Sequence, residues 1–108
     1  MKNALLFLVL ITLFSCTGTT PQEKAEHSVE MYMPSYLDFP KSYEGIEFEK
    51  LLKDSLTGNA WHISHLYRSK NKKGEIAVAQ RVFFLDTLFQ VKKVMTLKEY
   101  SDLTAPKE

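Results

Sequence analysis

Three features of this 108-residue chain combine residue types at spacings that could do chemistry. His62-Ile63-Ser64-His65 sets two imidazoles three residues apart. On a helix they would share a face and could chelate a metal; on a strand they point to opposite sides. No cysteine or carboxylate ligand set lies beside them in sequence, so no metal is expected. Cys16 is the only thiol, cannot close an internal disulfide, and follows directly on the one long apolar run. Arg68, Lys70, Lys72 and Lys73 crowd the stretch RSKNKKGE, where they could meet anionic head groups or keep a strand edge from aggregating. The sequence holds no nucleophile elbow, no phosphate-cradling glycine loop and no paired carboxylates placed for acid–base work. The expectation is therefore a protein that is not an enzyme and carries no cofactor.

The surroundings of Cys16 are informative. Lys2 precedes an apolar stretch over residues 4–14 that only Thr12 interrupts. A helix needs about 20 apolar residues to cross a hydrocarbon core of roughly 30 Å, so this stretch predicts a secretory leader and not a span. Its end, Leu13-Phe14-Ser15-Cys16, resembles the lipobox of bacterial lipoproteins, with leucine three before the cysteine and a small residue just before it. The resemblance implies that Cys16 receives a diacylglyceryl thioether, that cleavage falls between Ser15 and Cys16, and that the new amine is acylated. Two or three acyl chains hold a protein on a bilayer where one holds it only marginally. Thr17, not aspartate, implies by the same resemblance the outer membrane, facing the periplasm.

With 44% hydrophobic and 25% charged residues the rest reads as one globular domain. The leader carries Lys2, which leaves 13 of the 14 basic residues against 13 acidic ones, and this neutrality argues against a nucleic-acid partner. The expected organisation is a leader over residues 1–15, a lipidated flexible tether over 16–30, and one small α+β domain over 31–108. Its expected fold is a three-stranded antiparallel meander with one packed helix and an irregular N-terminal arm. The arm is residues 31–39, interrupted by Pro34; the helix runs from a Ser42 cap to about Leu56, and Leu51, Leu52 and Leu56 would cover the sheet.

The strands follow from alternation over residues 61–67, from the β-branched and aromatic content of 75–85, and from a return alongside it over 88–95. Turns at Asn71-Lys72 and Asp86-Thr87 would set the registers, gathering Trp61, Ile63, His65, Val82 and Phe84 on one face. The opposite face would then align His62, Arg81 and Lys92 as a cationic row for a phosphate, a sugar acid or a carboxylate. The same face would leave Phe83, Leu85 and Leu88 as a greasy patch for a partner, with Tyr32, Tyr36 and Phe39 of the arm as a second patch. The leading expectation is a membrane-anchored accessory module that binds another envelope protein or itself. The alternatives are an inhibitor or immunity protein wedging the basic hairpin into a periplasmic hydrolase, and a binder of small anions.

Overall fold

A computed structural model describes residues 19–104. Cys16 and the leader lie outside the described residues. Helix α1 (Pro21–Tyr36) is followed by a single 3-10 turn (Pro40–Ser42), strands β1 (Glu44–Phe48), β2 (Leu52–Lys53), β3 (Trp61–Lys70), β4 (Ile76–Leu85) and β5 (Val91–Thr96), and helix α2 (Leu97–Thr104). All pairings are antiparallel, in the order β1–β3–β4–β5, with the two-residue β2 beside β1 along the same side of β3. Among the described residues no helix is long and apolar enough to cross a membrane.

The expected three-stranded meander is therefore corrected to a mixed α/β arrangement with, among the described residues, two helices and five antiparallel strands. The irregular arm and most of the flexible tether are one helix. Thr20 caps it, its hydroxyl accepting from the Glu23 N–H at 3.2 Å, and Pro21 occupies the first turn, where its missing N–H costs nothing. Ala25, Val29 and Met33, four residues apart, form the stripe that the sheet buries completely. Gln22 ties the helix down. Its Nε2 donates to the Glu49 carbonyl at 3.0 Å, and its Oε1 accepts from the Leu51 N–H at 2.7 Å. Pro34 falls in the last turn, and the chain turns extended at Leu37.

The expected helix over residues 42–56 is instead strands β1 and β2. Ser42 caps no helix; its Oγ accepts from the Lys70 N–H at 2.8 Å and fixes the crossover to the end of β3. Leu52 and Leu56 are exposed, and of the three leucines only Leu51 packs against the core. The backbone bulges between Gly45 and Glu47, where a β-carbon on Gly45 would stand 3.1 Å from the Tyr43 hydroxyl and 3.4 Å from His65 Cε1. Glycine is thus what lets the Tyr43–His65 pair close over this strand.

The first hairpin sits three residues from its expected register, with Trp61 opposite Leu85 and Lys70 opposite Ile76. An odd offset exchanges the faces of one strand relative to the next. Ile63, His65 and Tyr67 therefore share the α1 face with Phe83 and Leu85, all buried there. Val82, Phe84 and Met95 form a smaller core on the other face, with Tyr100 of α2 against it. Residues 82–85 are apolar without alternation because helices cover both sides of them.

The two hairpin turns share one backbone design. In residues 71–75 the Asn71 and Gly74 N–H groups donate to the Glu75 and Asn71 carbonyls, and the Asn71 side chain accepts from the Lys73 and Glu75 N–H groups. In residues 86–90 Asp86, Leu88, Phe89 and Gln90 repeat all four bonds. Both turns place their fourth residue in the left-handed region, Gly74 at φ 80° and Phe89 at φ 61°.

Candidate functional site

Burial along β4 runs from exposed at residues 76–78 through half-buried at 79–81 to fully buried at 82–85. The gradient has a cause in β5. Thr96 and Glu99 cap α2 reciprocally, the Glu99 N–H donating to Thr96 Oγ1 at 3.1 Å and the Thr96 N–H to Glu99 Oε1 at 3.0 Å. That box turns the chain into a helix at Leu97, so β5 pairs with β4 only from Arg81 onward. Residues 76–80 pair with β3 on one side and, among the described residues, have no strand on the other. Ile76 and Val78, each 59% exposed, stand on this open run.

A groove of about 690 Å³ follows the edge, walled by Tyr36, Asp38, Tyr67, Lys70, Lys72 and Arg81. Arg81 closes one end of it. Its Nη1 donates to the Gln80 carbonyl at 2.9 Å, whereas its Nε is buried without a partner among the described residues. A buried guanidinium nitrogen left unpaired is costly. Burial raises the Tyr67 hydroxyl's pKa, and the Arg81 cation works against that rise. What the edge offers is backbone hydrogen bonding for an extended chain, a groove beside it, and positive charge for acidic side chains.

The histidines at 62 and 65 lie on opposite faces, and among the described residues no cluster of three potential ligands forms. His65 is fully buried, stacked on Phe48 at 3.8 Å. The Glu47 carbonyl can only accept, so Nδ1 carries the proton and donates at 2.9 Å, while Nε2 accepts from the Tyr43 hydroxyl at 2.7 Å. Burial depresses the pKa of His65, and burial followed by the Glu30 charge pushes Tyr43 up to about 12. Both groups are committed to each other, which pins β1 to β3. His62 lies under Tyr100, whose hydroxyl is 3.4 Å from Nε2, and its Nδ1 is 3.7 Å from Asp54. Burial raises the Asp54 pKa, but hydrogen bonds from the Thr57 hydroxyl and three backbone N–H groups outweigh it and hold this carboxyl below its usual range.

The expected cationic row of His62, Arg81 and Lys92 does not form. His62 pairs with Phe84, Arg81 lies on the other face opposite His65, and Lys92 sits at a bulge, 3.7 Å from Asp86. Phe83 and Leu85, expected as a partner patch, are fully buried under α1 by the same exchange of faces. Of the arm's aromatics, Tyr32 packs against the core, Tyr36 lines the groove and Phe39 is exposed. Lys70 and Lys72 flank the groove, Lys73 stands at the hairpin tip, and Arg68 pairs with Glu44 at 3.6 Å. Leu88 lies beyond the end of β4 that is opposite the basic hairpin.

No protein-family model matches this chain, and no curated protein and no solved structure matches it either. Sequence reasoning missed the open edge because its signal is indirect. The TLKE motif that ends β5 was legible, but its consequence for β4 needs the register.

Proposed function

We propose that this chain is a lipid-anchored protein of the bacterial envelope, held by a diacylglyceryl Cys16. Its domain binds an extended, acidic segment of another envelope protein and catalyses no reaction. The observation that carries the reading is the unpaired run of β4 over residues 76–80, open beside an orphaned Arg81 nitrogen. Edge strands of this kind are ordinarily blunted, because they template pairing with other chains. Lys70 and Lys72 provide some of that protection here, and they also select what may approach.

Charge decides between a second copy and a different partner. Edge-to-edge pairing of two copies would bring Lys70, Lys72 and Arg81 against the same cations, and among the residues lining the groove Asp38 alone is acidic. An acidic strand meets no such repulsion. Anchoring would act through effective concentration: confined to one membrane surface, even a modest interface stays occupied.

The test is capture of the partner from the organism's own membranes with a photo-crosslinker at Val78. Ile76→Lys with Val78→Lys is expected to lower capture on the order of tenfold or more, since both side chains sit at the centre of the interface. Arg81→Gln should lower it less, and Cys16→Ser should preserve contact while raising the concentration required. Undiminished capture by the double lysine variant would overturn the proposal.

A further inference from the structure

If Cys16 carries the lipid, as proposed above, the geometry also says which end of the domain faces the membrane. Three residues lead from Cys16 to Thr19, a reach of at most about 11 Å whatever their conformation. Thr19 shares a groove with Lys24, His27, Leu88 and Phe89, so the anchor enters beside the turn at residues 86–90. Leu88 is 75% exposed at that turn. A second groove shares His27, Ser28 and Phe89 with the first and continues to Met31, 68% exposed, and Lys92. One continuous surface beside the anchor thus carries two large apolar side chains with cations between them, and the acids Glu23 and Asp86.

The turn is built to hold Leu88 outward. Phe89 is the one non-glycine residue with positive φ among the described residues, a conformation that disfavours a bulky side chain. It is retained with the ring stacked on Trp61 at 5.9 Å and 14°, with the Lys24 ammonium 5.9 Å from its centroid. With Phe89 turned inward, the preceding side chain projects into solvent.

We infer that this face seats on the phosphate-bearing surface of the leaflet that holds the anchor. Leu88 enters the acyl boundary, Met31 follows at its edge, and Lys24 and Lys92 lie among the head-group phosphates. Lys92 is within 3.7 Å of Asp86 and would exchange that partner for phosphate. The basic hairpin lies at the other end of β4, whose ten residues span about 33 Å. Its lysines therefore point away from this bilayer, toward the partner's side.

Full-length lipidated protein is reconstituted in phosphatidylethanolamine/phosphatidylglycerol vesicles with a polarity-sensitive fluorophore on Leu88→Cys or, separately, on Lys72→Cys. A blue shift at position 88 and none at 72 is expected. An unshifted label at 88, or a larger shift at 72, would overturn the seating. As a label-free measurement, Trp61, the only tryptophan, should be shielded from an aqueous quencher on the vesicles and lose that shielding in Leu88→Asp; equal quenching in both also overturns it. Intact mass of the same sample separates the two readings. An unmodified Cys16 refutes the anchor and the seating together, whereas a lipidated Cys16 with an aqueous label at 88 refutes the seating alone.

Discussion

Residues 71–75 and residues 86–90 close their hairpins with the same four hydrogen bonds, yet they meet the backbone's demand differently. The first puts Gly74 at the left-handed position, where no β-carbon means no strain, and surrounds it with exposed lysines. The second puts Phe89 there and an exposed leucine before it. A bulky residue in that conformation costs about 1–2 kcal/mol. The aromatic contact with Trp61 offsets this, since such pairs contribute about 0.5–1.5 kcal/mol beyond their burial. One turn is merely compatible with the chain path; the other spends stability on where two side chains point. The difference matches the two ends proposed for the domain, a cationic end beside the open edge and an apolar end beside the anchor.

The largest effect that could break this comparison is at Trp61. Trp61→Ala removes the support under Phe89 and should cost about 3 kcal/mol, lowering the melting temperature by more than about 10 °C. A melt within a few degrees of the parent would mean that the stack does not hold the turn. An exchange at the fourth position sharpens the point. Gly74→Phe should cost about 1–2 kcal/mol in denaturant midpoint, because nothing lies within 4 Å of the Gly74 β-carbon position to receive an aromatic ring. Phe89→Gly relieves strain and loses contact together, and should change stability by less than about 1 kcal/mol. Equal penalties at the two sites would erase the distinction.

The smallest effect is in pH. Backbone N–H bonds from Gln90 and Leu88 hold the Asp86 carboxyl below its ordinary value of 3.8, whereas Asn71 in the matching turn does not titrate. The contribution of Asp86 is complete above that ordinary value and is lost as pH falls through the lower folded one. Asp86→Asn should therefore flatten the acid limb of a stability–pH curve. A separate slope, from the depressed His65, begins where pH falls below 6.5, because only the unfolded chain then takes up the proton. That slope should survive Asp86→Asn unchanged, and its loss would assign the acid limb to the wrong group.

Much of the architecture left marks in the sequence that alternation alone does not reveal. TPQE at residues 20–23 and TLKE at 96–99 both carry the threonine-to-glutamate spacing of a helix start, and both start helices. Asn71-Lys72-Lys73-Gly74 carries the glycine of a turn longer than two residues, and reading it as a two-residue turn displaced the first register by three. No such mark exists at the second turn, because phenylalanine is not a left-handed residue by preference. Of the groove, Lys70, Lys72 and Arg81 were legible as cations, but not their company: Arg81 was placed with His62 and Lys92 and stands instead across from His65.

By itself the sequence determined that β3 and β4 extend and that a turn joins them, through their β-branched and aromatic runs and the asparagine and glycine between them. It also set the lipobox resemblance at Cys16, from which the anchor is argued. Tertiary structure alone decided which side chains meet. A strand alternates with period two, so either face satisfies the pattern, and only the length of the turn chooses between them. The same holds for α1, whose polar sequence has too little helix stability of its own to stand in water and becomes a helix by burying Ala25, Val29 and Met33 on the sheet.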